Sequence, residues 1–183
     1  MSRLEEKTIN IEKIFTGKVI SLQLEDVELP NGNTSKREII KHPGAVAVLA
    51  LTDDEKIVMV EQYRKALEKT IVEIPAGKLE PGEDPLECAK RELEEETGYD
   101  CKEMDWLISF YTSPGFADEI VHLYIAKGLV QKENAASLDE DEFVNLIELT
   151  LEEAEQFLKE KKIYDAKTAY AVQYLQLQKA LRK

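Results

Sequence analysis

Residues Gly77–Tyr99 read GKLEPGEDPLECAKRELEEETGY. The middle of this run predicts a helix over about 85–97. Asp84 is a good N-cap, Pro85 takes the first helical position, and Glu87 stands three residues after Asp84, where a capping-box acid belongs. Gly98 marks the stop, as a favoured residue just past a helix C-terminus. Leu86, Ala89 and Leu93 lie three and four apart and form the stripe that should face a core. Glu92, Glu95 and Glu96 follow the same spacing on an adjoining face. As local structure this is unfavourable. Like charges at these separations cost roughly 0.2–0.5 kcal/mol per pair, and acids at the negative end of the helix dipole cost roughly 0.3–1 kcal/mol each. Arg91 offsets only part of that. A divalent cation would resolve the conflict, because hard cations such as magnesium take carboxylate and carbonyl oxygens, keep some of their water and bind alongside substrate phosphates.

The loop ahead of the helix, Pro75–Glu83, carries two prolines and two glycines. It fixes a turn in which backbone can approach the helix closely and offer carbonyl oxygens. Outward from there, Ala45–Leu51 is a continuous apolar run that reads as a strand buried on both faces. Ile57–Val60 and Ile71–Ile74 read as strands, as do 106–111, 119–126 and 143–149. Two closing helices are expected at about 151–161 and 165–181. Strands outnumber helices, so the class is mixed, with helices covering a mixed sheet. Residues 1–41 read as a small antiparallel meander turning at Thr16-Gly17 and at Pro30–Asn33. Its apolar content is too low to stand alone, so it should pack on the main domain, 42–183, or on a partner subunit.

Composition narrows the function. The chain has 183 residues and a formal net charge of −13. That charge argues against a nucleic-acid partner and against an anionic membrane surface. There is no apolar window of membrane-spanning length and no leader pattern, so a soluble cytoplasmic protein is expected. Cys88 and Cys101 are too few for a disulfide framework and sit in no zinc spacing. His42 and His122, the two histidines, have no partners at metal spacing, and no histidine chemistry is assigned to them.

Gly77, Glu83 and the run Arg91–Tyr99 match the Nudix box at every defined position, and the chain resembles that family. The resemblance implies an α/β/α sandwich and magnesium- or manganese-dependent hydrolysis of nucleoside diphosphates linked to another group. Carried over by position, Glu92 and Glu96 should be metal ligands, Glu95 a ligand or base, and the Ala76 carbonyl a further ligand. Arg91 should orient the glutamates, and Gly77 should permit the loop geometry. Beyond the box the chain resembles the ADP-ribose pyrophosphatase branch. Pro114 lies fifteen residues past Tyr99, within Thr112–Glu119, and Glu61–Arg64 and Val72–Gly77 are similar to that branch's substrate-binding stretches.

The branch resemblance implies hydrolysis of ADP-ribose to AMP and ribose 5-phosphate, and a homodimer that exchanges strands of the N-terminal meander. Arg64 is the candidate for a phosphate or terminal-sugar contact, since its fork can grip oxygens bidentately. Glu73 and Glu119 are candidates for ribose hydroxyls, and Gly115 for the substrate loop beside Pro114. For the general base, the segment 138–143 offers Glu140 and Glu142, with Glu142 favoured because it directly precedes an apolar strand; Glu95 is the alternative. A hydrolase of another sugar nucleotide, such as a GDP-hexose, would use the same machinery. A non-catalytic ADP-ribose sensor is the third reading, disfavoured because every box glutamate is kept. Phe15, Tyr63 and Trp106 serve equally well as core residues or as adenine contacts.

Overall fold

The computed structural model describes residues 3–133 and 143–182. Among these, the strands are β1 Lys7–Thr16, β2 Ser21–Glu28, β3 Thr34–Lys41, β4 Ala45–Leu51, β5 Ile57–Arg64, β6 Lys69–Glu73, β7 Ala76–Lys78, β8 Tyr99–Tyr111, β9 Ile120–Gln131 and β10 Val144–Leu149. The helices are α1 Pro85–Thr97, α2 Leu151–Lys159 and α3 Ala166–Leu181.

The chain divides into two compact units. The first holds residues 1–44 and 110–120. Strands β1, β2 and β3 form its antiparallel sheet, with β2 central. Every residue of β1 is exposed, and Ile9, Ile11, Ile14 and Phe15 are each more than half accessible. The segment 110–120 joins β3 through backbone bonds: Ile40 N–H donates to the Phe116 carbonyl at 2.7 Å, and Asp118 N–H donates to the Ile40 carbonyl at 3.2 Å. The Asp118 carboxylate also accepts from the His42 N–H and pairs with Lys41.

The second unit holds residues 45–109 and 121–183. Its sheet runs β10-β5-β4-β9-β8, with β6 added to β5 and β7 to β4. The β4–β9 pair is parallel, whereas β4–β5, β4–β7, β5–β6 and β5–β10 are antiparallel. The mixed sheet expected from the strand pattern is therefore present. Residues Val46 to Ala50 are all fully buried, as the uninterrupted apolar run requires. Val46, Val48 and Ala50 pack with Cys88, Ala89 and Leu93 of α1. The stripe read from the sequence is thus the core face of the helix.

Two differences have simple causes. Residues 76–78 form a short strand rather than a loop, because they pair with Ala45–Ala47 at the start of β4. Strand β8 begins at Tyr99, well before the predicted 106, since its polar first half sits at the sheet edge beside β9 and needs no apolar pattern.

Candidate metal and nucleotide site

Helix α1 starts as its sequence dictates. The Asp84 carboxylate accepts from the Leu86 and Glu87 N–H groups at 2.9 and 3.3 Å. Glu87 does not close a capping box but pairs with Lys90 at 2.7 Å. The helix ends on Gly98 in the left-handed conformation, φ 72°, with its N–H donating to the Glu94 carbonyl. No basic residue lies in the last turn. Compensation for the acids comes instead from Arg91 and, for Glu94, from Lys132 at the end of β9 at 2.7 Å.

Arg91 organises the acidic face. Its Nη1 donates to Glu92 and to Glu95, both at 2.8 Å, and its Nε and Nη2 grip the two oxygens of Glu83 at 2.9 and 3.1 Å. Nη2 also lies 3.4 Å from the Lys78 carbonyl. The hydrogen bonds from Arg91 hold the Glu83 carboxyl down to about 2, against the usual carboxylate range, and the same pairing raises Arg91 further. Burial pushes the Cys88 thiol beneath them up to about 12, so it is inert as a nucleophile. Glu83 is the residue to which the sequence reading gave no role. Its fixed place in the box, eight residues before Arg91, was the available signal.

The loop and the helix meet through Glu92 and Glu96, only 8% and 7% exposed. Ala76 N–H donates to Glu96 Oε2 at 3.0 Å. A methyl group built on Gly77 would overlap the carboxylate carbon and both oxygens of Glu92, so only glycine allows this approach. The structure thus brings Ala76, Gly77, Arg91, Glu92, Glu95 and Glu96 together. Among the described residues no three His, Cys, Asp or Glu side chains already converge at metal-binding spacing. The donor set nonetheless fits magnesium or manganese. It is made of hard oxygens, two of the carboxylates are nearly buried, and magnesium is usually held by one or two carboxylates with water and substrate phosphate completing its shell.

Arg64 and Glu73 also meet, with Nε to Oε2 at 2.5 Å. Glu73 is 3% exposed, and its other oxygen is taken by Lys167 of α3, which in turn pairs with Asp165 at 3.0 Å. Lys167 lies 94 residues along the chain from Glu73, and nothing local in the sequence announces it. Glu119 and Gly115 belong to the first unit. Glu119 accepts from the Thr112 hydroxyl at 2.5 Å and stands 3.8 Å from His42. Gly115 lies in a turn closed by the Phe116 N–H on the Ser113 carbonyl, and a side chain there would meet open space. His122 shares a 2.7 Å hydrogen bond with Ser109, which also accepts from Trp106. Phe15, Tyr63 and Trp106 are all more than half exposed, so none is a core residue. Glu140 and Glu142 lie outside the described residues.

The NUDIX domain profile matches residues 41–171. The chain belongs to the Nudix family. A relative from Bacillus methanolicus, a methanol dehydrogenase activator, is 75% identical over 97% of this chain and 96% of its own length. The ADP-ribose pyrophosphatase of Bacillus subtilis (strain 168) is 64% identical over 100% of this chain and 98% of its own. Among solved structures, an ADP compounds hydrolase aligns with a TM-score of 0.84 at 20% identity, over 97% of this chain and 96% of that one. At that identity the last match speaks for the Nudix fold.

Proposed function

We propose that this Nudix pyrophosphohydrolase cleaves the diphosphate of ADP-ribose, giving AMP and ribose 5-phosphate. The observation that carries the reading is the union of a complete Nudix box with 64% identity to an ADP-ribose pyrophosphatase along the whole chain. Glu92, Glu96 and the Ala76 carbonyl would hold magnesium, or manganese in its place. A cation bound there would supply positive charge against the diphosphate and against the charge that develops on oxygen as the bond breaks. Arg91, anchored on Glu83, keeps Glu92 and Glu95 in place by hydrogen bonds. Arg64 serves the phosphate or terminal sugar, Glu73 and Glu119 the ribose hydroxyls, and Gly115 the substrate loop.

In the hydrolysis a water oxygen bonds to one phosphorus, the bridging P–O bond breaks, and a carboxylate takes the water's proton. Glu142 is the preferred base, ahead of Glu140 and Glu95. The exposed isoleucines of β1 support a homodimer built on the meander, since apolar surface of this kind marks an interface. No helix among the described residues is long and apolar enough to cross a membrane.

The test is a panel of nucleoside diphosphate compounds with magnesium, reading AMP or GMP release. Rapid release from ADP-ribose is expected. Preference for a GDP-hexose would move the substrate within the family, and binding of ADP-ribose without turnover would indicate a sensor. The 75% identity to a methanol dehydrogenase activator favours a second reading, in which this chain also raises the rate of a dehydrogenase. Methanol oxidation by a methanol dehydrogenase, followed with and without the chain, decides it.

A further inference from the structure

Ile74 occupies the one step where the chain changes partners. Up to Glu73 it pairs with β5, and from Ala76 it pairs with β4. Between those ladders the Ile74 N–H needs a partner from outside the sheet, and the residue is fully buried. An unpaired N–H there would be costly. Thr168, also fully buried, accepts that N–H on its hydroxyl at 3.0 Å. The preceding residue, Lys167, pairs with Glu73, and the Lys162 carbonyl accepts the Val72 N–H at 2.8 Å. The segment 162–168 therefore runs along 72–74 as a strap. Asp165 caps α3 and fixes the Thr168 backbone, accepting its N–H at 3.1 Å.

Two residues beyond Ile74 lies Ala76, whose N–H binds Glu96, followed by Gly77 against Glu92. The intervening Pro75 has a fixed φ and no N–H of its own, and its carbonyl is held by the Val48 N–H at 2.8 Å. A shift at Ile74 is thus passed on to Ala76 with little slack. We infer that Thr168 is a positioning residue for the metal loop, acting through the Ile74 N–H on the Ala76 carbonyl and on the carboxylates of Glu92 and Glu96. It touches neither substrate nor metal. The inference rests on the metal reading of that loop.

Thr168→Val keeps the shape and removes the acceptor; Thr168→Ser restores it. The readout is direct Mn2+ binding without substrate, followed by electron paramagnetic resonance at a temperature where all three proteins are folded. Affinity should fall about tenfold in the valine variant, at the lower end of what lost outer-shell partners cost, and return with serine. A valine variant that melts earlier but binds Mn2+ as tightly as wild type overturns the inference and leaves Thr168 a stability residue. Absence of Mn2+ binding by the wild type overturns the metal reading and this inference with it. Should the valine variant not fold, amide exchange in the wild type carries the test. Saturating Mg2+ should slow exchange of the Ile74 amide together with that of Ala76. Slowing at Ala76 alone overturns the coupling.

Discussion

Arg91 and Glu83 meet through two parallel hydrogen bonds, Nε to Oε1 at 2.9 Å and Nη2 to Oε2 at 3.1 Å. Glu83 lies outside the helix and Arg91 within it, so this fork ties the end of the loop to the face that carries the glutamates. It also sets the guanidinium so that Nη1 reaches Glu92 and Glu95. A lysine at 91 could not reproduce both halves of the arrangement, since its ammonium lacks a planar fork.

The pair predicts an acid limb in stability. The Glu83 carboxyl is lowered to about 2 from an ordinary value of 4.5. A depressed carboxylate contributes stability that is complete above its unfolded pKa and is lost as pH falls toward its folded one. The thermal stability of the wild type should therefore fall as pH drops from about 4.5 to 2. Glu83→Gln should unfold several degrees lower at pH 7, since hydrogen bonds to charged groups contribute about 1.5–3 kcal/mol. It should also show a shallower slope in the acid window. Parallel wild-type and variant slopes would remove Glu83 as the cause.

Glu96→Gln should keep the fold and lose most activity. The Ala76 N–H can still donate to the amide oxygen, so the loop stays attached, while the charge needed for a cation is gone. A loss of about 2.7 kcal/mol in transition-state stabilisation is a hundredfold in kcat. Steady-state rates with magnesium, beside an unchanged circular dichroism spectrum, check this. Full activity in the variant would end the metal-site reading.

Gly77→Ala separates backbone geometry from charge. No ligand is removed, yet the added methyl must displace the Glu92 carboxylate. The expected result is an increased magnesium requirement with a modest change in unfolding temperature. Were alanine silent in both, the close approach of loop and helix would have no function.

The helix and its acids were legible in the sequence because their causes are local. Asp84, Pro85 and Gly98 set the ends, and the three- and four-residue spacings set the faces. Legibility stopped where the partner lies far along the chain. Residues 76–78 become a strand only because β4 offers an edge. Glu73 reads as a strand-end acid until Lys167 and Arg64 close on it. Thr168 reads as one more helical residue until the Ile74 N–H is found to need it. The exposed Tyr63 and Trp106 show the converse: aromatic identity does not tell whether a strand residue faces core or solvent.

The meander predicts an assembly state. Ile9 and Ile11 of β1 are both more than half exposed. Replacing both with glutamate leaves the backbone pairing with β2 available and places charge where a partner subunit would lie. Sedimentation should show a dimer for the wild type and half that mass for the double variant. An unchanged mass would exclude this face as the dimer element.

The proton acceptor gives the last prediction. Glu95 is already engaged by Arg91 at 2.8 Å, so one of its oxygens is committed to that hydrogen bond. Glu142 is therefore kept as the proposed base, with Glu95 as the alternative. Glu142→Gln should lower kcat by about 10²–10⁴, the usual contribution of a general base, with little change in KM. It should also flatten the acid side of the kcat/KM profile against pH. Glu140→Gln should lose less. The pH profile is the informative readout, because a glutamate that merely contacts substrate would change KM and leave the profile intact. If both variants retain wild-type rates, the role returns to Glu95, and Glu95→Gln should then reproduce the lost acid limb.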